Sequence, residues 1–290
     1  MNYSSLFIIG CGDIGMRVGA AIAAMSIKVF GFSRGNKFPH DTTSSGITLS
    51  HYDLDILESS PAPDFKGAPL LYLAPPPGGG KSDTRVANFL VTIKPGFEPA
   101  KVIYMSTTSV YGECGDDTIT EERAVNPSNH TALRRYDAEQ RFRLWCSEHS
   151  VPLVILRVSG IYGPGRIPMQ RIHSREPLLN EIEAGYTNRI HSDDLTQICI
   201  AAIEKGEDGD IFNISDGETN KMNDYFNAIT DLMGVDRLPQ VTLEEGRKVM
   251  SPLMLSYMTE SRKVSNRRML DRLGITLKYP TMLEGLKVSL

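Results

Sequence analysis

The sequence is short of several things, and each shortage excludes a class of protein. It has four cysteines in 290 residues, Cys11, Cys114, Cys146 and Cys199. None forms a CxxC pair, which excludes a zinc ribbon or dithiol redox motif, and the density is too low for a disulfide scaffold. Four reduced, packed thiols are expected. Basic charge is also short: Lys plus Arg is 31 against 35 for Asp plus Glu, a net charge of −4. A broad phosphate-binding face is therefore excluded, and with it a nucleic-acid partner. No apolar run reaches the roughly 18 residues that span a bilayer, so no membrane partner is expected. The N-terminus lacks a basic region, and its apolar run covers only 6–9, so no signal peptide is read and a cytoplasmic location is expected.

Familiar catalytic signatures are missing too. There is no GxSxG nucleophile elbow. The histidines show no metal-ligand spacing, so no metal is expected. Gly80-Lys81-Ser82 resembles the end of a P-loop, but Pro75 stands where that motif needs glycine, and prolines remove the backbone donors that would cradle phosphate.

What remains is an ordinary globular composition, 41% hydrophobic and 23% charged. The length suits a large domain with a smaller lobe. Apolar, β-rich runs recur at 6–9, 28–32, 70–73, 102–105, 153–158 and 211–214, with helical patterns between several of them, as at 16–25 and 133–149. This alternation predicts an α/β fold with a doubly wound parallel sheet covered on both faces. Helical stretches at 223–233 and 261–273 read as part of the smaller lobe. The division expected is 1–165 for the first domain, with a returning strand near 195–215, and mainly 166–290 for a small substrate-binding lobe.

The strongest local motif is Gly10-Cys11-Gly12-Asp13-Ile14-Gly15. It follows an apolar strand and opens a helix. Gly10 permits the turn, Gly12 admits a pyrophosphate to the backbone, and Gly15 lets helix and strand pack closely. The helix N-terminus adds amide donors and partial positive charge. The next strand ends in Ser33-Arg34, where an NAD site would place Asp or Glu. A hydroxyl followed by a guanidinium suits a 2′-phosphate, so NADP is expected, with NAD the alternative.

Further along, Met105-Ser106-Thr107-Thr108-Ser109-Val110-Tyr111-Gly112 resembles the strand-end segment of extended short-chain dehydrogenases/reductases. Ile161-Tyr162-Gly163-Pro164-Gly165, Arg189-Ile190-His191-Ser192-Asp193-Asp194 and Ile211-Phe212-Asn213-Ile214 resemble later segments of that family in the same order. The branch most resembled is the NAD-dependent epimerase/dehydratase group. The resemblance implies a Rossmann fold with a C-terminal substrate lobe, a small-molecule substrate and a homodimer. It implies cofactor contacts from Gly10, Cys11, Gly12, Asp13, Ile14, Gly15, Ser33 and Arg34. It adds Asp53, Leu54, Ala74, Pro75, Pro76, Arg135, Val158 and Ser159.

The family's chemistry uses a Ser or Thr, a tyrosine, and a lysine four residues after the tyrosine. Thr107 falls in the first slot. Anchoring the helix on Glu139-Gln140 puts Thr131 in the tyrosine slot and Arg135 in the lysine slot. An aliphatic hydroxyl cannot act as an acid near neutrality, and an arginine stays charged. Tyr111, His130 and Tyr162 are candidates for a relocated acid. Tyr162, Arg166 and Arg189 are candidate substrate contacts. Asp193 and Asp194 read as carboxylates at a helix N-terminus. Two functions stay open: an NAD(P)-dependent oxidoreductase of the epimerase/dehydratase kind, and a non-catalytic NADP-binding sensor, regulatory or scaffold protein.

Overall fold

The computed structural model describes residues 3–35, 46–56 and 62–290. Near-continuous apolar runs have no polar face to give to water, so they assemble side by side. The strands are β1 (Ser5–Ile9), β2 (Lys28–Ser33), β3 (Ile47–His51), β4 (Pro69–Tyr72), β5 (Lys101–Thr107), β6 (Leu153–Val158) and β7 (Ile211–Ile214). They form one sheet in the order β7-β6-β5-β4-β1-β2-β3, with every neighbouring pair parallel. β3 was not expected from the sequence. Its Thr48, Ser50 and His51 break the apolar run, as an edge strand allows.

Successive strand residues point to opposite faces, so each strand feeds two cores. On one face Ile8, Leu71, Ile103 and Leu156 pack against α1 (Asp13–Ala23) and α4 (Ser192–Lys205) through Val18, Ile22, Leu195 and Ile198. On the other, Phe7, Tyr72 and Tyr104 pack against α2 (Thr84–Thr92) and α3 (His130–His149) through Phe89 and Phe142. The order 3-2-1-4-5-6, extended by β7, is the Rossmann arrangement. Its crevice lies at the carboxyl ends of β1 and β4, where the strand order reverses.

A third core joins Tyr162, Leu178, Leu179, Met258 and Leu286 to Tyr225, Phe226 and Ile229 of α5 (Met222–Met233). It also takes in α6 (Pro252–Thr259) and α8 (Met282–Lys287). The helix expected over 261–273 is shorter: only α7 (Arg267–Leu273) is helical. Lys263–Val264 instead pairs in parallel with Thr118–Ile119. Val264 is buried with Val110, Tyr111 and Ile119, and its N–H donates to Asn188 Oδ1 at 3.0 Å, a bond a helix would have used internally. This pairing carries the segment after α6 across to the carboxyl end of β5.

Asp193 and Asp194 do sit in the first turn of α4, but the cap is His191, whose Nδ1 accepts the Asp193 N–H at 3.1 Å. Asp194 accepts the N–H groups of Lys278 and Tyr279 at 2.7 and 3.0 Å and so ties down the closing segment. All four cysteines are buried free thiols. Among the described residues no helix is long and apolar enough to cross a membrane.

Candidate functional site

Two cavities open at the carboxyl edge of the sheet. The first, about 220 Å³, lies over the β1–α1 turn. Gly10 adopts φ +83°, and a Cβ there would stand 2.4 Å from Ala74 N, so β1 and β4 close on each other only with glycine. Gly12 differs: a Cβ there meets nothing within 4 Å, because it faces open space. A Cβ at Gly15 would lie 3.1 Å from Ile8 Cγ2, in the helix–strand contact.

The same cavity is bordered by Ser33, Arg34, Asp53, Leu54, Ala74 and Pro75. Arg85, Tyr52 and Phe32 also line it and were not picked out from the sequence. Arg85 donates to both Asp55 oxygens at 2.7 Å, and Arg34 donates to Asp55 Oδ2 at 2.6 Å. Two guanidiniums on one carboxylate leave a net positive charge, and they hold the Asp55 carboxyl below its usual range, Arg85 most strongly. Arg85 also donates to the carbonyls of Pro75 and Pro76 and thereby braces the proline loop.

Cys11 does not face the cavity. Its side chain is 5% exposed and packs beneath Gly31, and burial pushes its thiol up to about 12. Ile14 and Val158 belong to the core. Asp13 is held by Arg17 at 2.9 Å and by Arg166 at 2.5 Å; these partners overcome the cost of burial and keep its carboxyl below the usual range.

The second cavity, about 300 Å³, lies beyond the end of β5. Strand alternation sets its chemistry. Ser106 turns toward α3, where Oγ donates to Glu139 Oε1 at 2.6 Å, while Thr107 turns into the cavity. Thr107 Oγ1 lies 3.3 Å from Ser109 Oγ, which lines the same space. Ser159 and Arg189 border it as well. Gly160–Tyr162 pairs in parallel with Arg189–His191, and this ladder sets Arg189 beside Gly160. Tyr257 of α6 and Arg262 line it too. No sequence signal linked them to Thr107, because only the Lys263–Val264 pairing brings them there.

Several expected positions lie away from the two cavities. Tyr111 does not line either cavity: it is 1% exposed, its hydroxyl donates to Asn213 Oδ1 at 2.8 Å, and Arg157 lies over its ring. Tyr162 is buried in the third core with its hydroxyl against Gly285 and Thr281. Arg166 is committed to Asp13, as described. Thr131 accepts a bond from Arg134 at 3.2 Å and borders neither cavity. His130 is exposed at the start of α3. Arg135 donates to Met105 O at 3.1 Å and Ala74 O at 3.4 Å, so its charge stands between the ends of β4 and β5.

Next to Arg189, Asp216 N donates to Arg189 O at 2.7 Å. Burial pushes the Asp216 carboxyl up to about 7, with Glu218 adding repulsion. A raised carboxyl stabilises the fold while protonated. That contribution is full below about pH 4 and is lost as pH climbs through about 7, a change on the order of 4 kcal/mol. Asp216→Asn keeps the Oδ1 acceptor for Glu218 N and removes the titration. Urea midpoints at pH 5 and pH 8 are expected to diverge in the wild type and to converge in the variant. Equal divergence in both would show that Asp216 does not set the slope.

Residues 83–215 match the model of the NAD dependent epimerase/dehydratase family. The dTDP-D-glucose 4,6-dehydratase of Bos taurus is 29% identical over 122 residues, which is 39% of this chain and 34% of that relative. The chain thus matches about a third of the length of that relative. A functionally unknown conserved protein from Silicibacter pomeroyi superposes with a TM-score of 0.84 at 26% identity, covering 98% of this chain and 97% of that one. The UDP-glucuronic acid 4-epimerase from Bacillus cereus, solved in complex with NAD, superposes at 0.77 with 17% identity over 98% and 97% of the chains, a likeness of fold. The segment 83–215 is thus similar to the NAD dependent epimerase/dehydratase family, and the sheet around it has the Rossmann order.

Proposed function

We propose that the protein is an NADP-dependent oxidoreductase of the epimerase/dehydratase kind acting on a small molecule. Residues 1–165 with the returning strand would hold the dinucleotide, and mainly 166–290 would hold the substrate. The observation that carries this reading is the pair of cavities on one sheet edge. One is bordered by the glycine turn and Ser33-Arg34, the other by Thr107. Open sheets of this order bind ligands at that edge.

The residues present suit a dinucleotide. Open space over Gly12 lets backbone approach a pyrophosphate, and Gly12 is the N-cap of α1, whose first N–H groups would suit an anion. Arg34, 61% exposed at its side chain, can exchange its bond to Asp55 for a 2′-phosphate while Arg85 keeps Asp55 neutralised. When bound, the dinucleotide supplies the hydride acceptor or donor. Thr107 then offers a hydroxyl to the substrate oxygen, and Arg135 fixes the strand ends around it. Thr131 takes no part in proton transfer, since an aliphatic hydroxyl does not ionise near neutrality and this one borders neither cavity. The engaged hydroxyls of Tyr111 and Tyr162 favour the non-catalytic reading, whereas Thr107, Ser109 and Tyr257 gathered on one cavity favour chemistry.

Hydrogen bonds to charged groups are worth roughly 1.5–3 kcal/mol, which is about ten- to hundredfold in affinity. Arg34→Ala is therefore expected to weaken NADPH binding by about that factor and to leave NADH within about twofold, followed by cofactor fluorescence. Tighter NADH than NADPH binding by the wild type would reverse the preference. A screen of ketones, aldehydes and sugars for NADPH consumption tests the enzyme itself; failure to bind either dinucleotide would overturn the whole reading.

A further inference from the structure

We propose that the second cavity recognises a small substrate carrying a carboxylate or phosphate oxoanion, with Arg189 as the group that holds it. The starting observation is an unmatched guanidinium. Arg189 Nε is buried and has no hydrogen-bond partner. Its Nη2 faces only the Met222 sulfur at 3.1 Å, and its carbon lies 3.6 Å over the Tyr225 ring. A thioether is a weak acceptor and a ring face is none in the usual sense, so the planar donor fork is left without oxygen. Among the described residues Arg189 makes no ion pair, while Arg262, the other guanidinium of the cavity, is paired with Glu260 at 2.6 Å.

The surroundings hold this fork ready. Stacking on Tyr225 fixes the plane. A Cβ at Gly160 would come within 3.2 Å of Arg189 Nη1, so glycine gives the fork its room. Burial also pulls the Arg189 guanidinium below its usual range, although the nearby Tyr225 and Asp216 pull the other way, and neither gives the fork a hydrogen bond. Ser159 Oγ, on the same wall, is likewise buried without a partner. An oxoanion satisfies both, because Arg donors match two of its oxygens and a hydroxyl donates to another.

Size narrows the class. About 300 Å³ is the bottom of the roughly 300–1,000 Å³ range of small-molecule pockets. It suits an acid or phosphate ester of a few carbons, whose carbonyl or carbinol carbon then lies toward Thr107. The substrate role rests on the oxidoreductase reading, but oxoanion binding does not.

The test separates the two. Full-length protein without dinucleotide is titrated calorimetrically with pyruvate, inorganic phosphate, methyl pyruvate and UDP-glucose. Pyruvate or phosphate is expected to bind, the neutral ester not. Arg189→Met, which keeps the apolar contact with Tyr225, is expected to weaken the oxoanion at least tenfold while NADPH binding stays within twofold. Should that variant fail to fold, Arg189→Lys keeps the charge, loses the planar fork, and is expected to weaken the oxoanion at least threefold. Preference between pyruvate and phosphate identifies the anion. Equal binding of ester and acid, an oxoanion affinity indifferent to Arg189, or tighter binding of UDP-glucose than of either small anion would overturn the proposal. Loss of NADPH binding by the wild type, with oxoanion binding intact, would count against the oxidoreductase reading alone.

Discussion

Gly12→Ala is expected to leave the fold intact and to weaken NADPH binding at least a hundredfold, whereas Gly10→Ala is expected to destabilise the protein itself. The two glycines sit two residues apart in one turn but meet different surroundings. At Gly10 the backbone is left-handed, which costs an L-residue roughly 1–2 kcal/mol. The new Cβ would also press on Ala74 N at 2.4 Å, and overpacking of this kind costs roughly 1–3 kcal/mol. Together these lower the thermal midpoint by about 5–15 °C. At Gly12 the Cβ meets no protein atom, and replacing glycine at a helix N-cap costs about 1 kcal/mol or less. The methyl would occupy only the space a pyrophosphate needs. Thermal melting and NADPH fluorescence titration of both variants resolve the pair. A Gly12→Ala protein that binds NADPH as the wild type does would remove the turn from the cofactor site.

Breaking the Glu139–Arg157 pair is expected to cost about 3–5 kcal/mol, the second large effect. Glu139 is 0% and Arg157 4% exposed at the side chain, and they join at 2.8 Å with a second bond at 3.1 Å. Burial alone would lower the Arg157 guanidinium, but the bonds from Glu139 outweigh it and raise it. Ser106 donates to the same carboxylate, so the pair locks the end of β5 to α3 and β6 just behind Thr107. Glu139→Leu leaves a buried cation with no carboxylate partner, and the midpoint is expected to fall by roughly 10 °C. Glu139→Leu with Arg157→Met removes both charges and is expected to recover most of that loss. If the double variant is as unstable as the single, the cost lies in shape and not in the orphaned charge.

The parts of the fold legible in the sequence were those with local causes. Continuous apolar runs gave β1, β2, β4, β5, β6 and β7, because strands buried on both faces have no other way to be written. The turn at Gly10–Gly15 was legible because each glycine answers a local backbone need. β3 was not, since an edge strand tolerates Thr48, Ser50 and His51. The stretch 261–273 read as helix throughout, but Lys263 and Val264 are held by a strand far back in the chain.

The same division governs the site. Gly10, Gly12, Ser33, Arg34 and Thr107 stand at strand ends, and in a parallel sheet all strand ends of one sense reach one edge, so their meeting was implied by the sequence. Which side chains keep free hydrogen-bonding capacity at that edge was not implied. Tyr111 and Tyr162 carry suitable hydroxyls, and packing commits them to Asn213 and to Thr281 with Gly285. Arg85, Tyr257 and Arg262 reach the cavities from other elements, and Arg189 is left without an oxygen partner by neighbours distant in the chain. Sequence by itself determined the strands, the turn and the edge where chemistry belongs, because those follow from local periodicity and backbone freedom. Only the tertiary structure decided which donors are spent and which remain, because a hydrogen bond between distant residues exists only once packing has set its length.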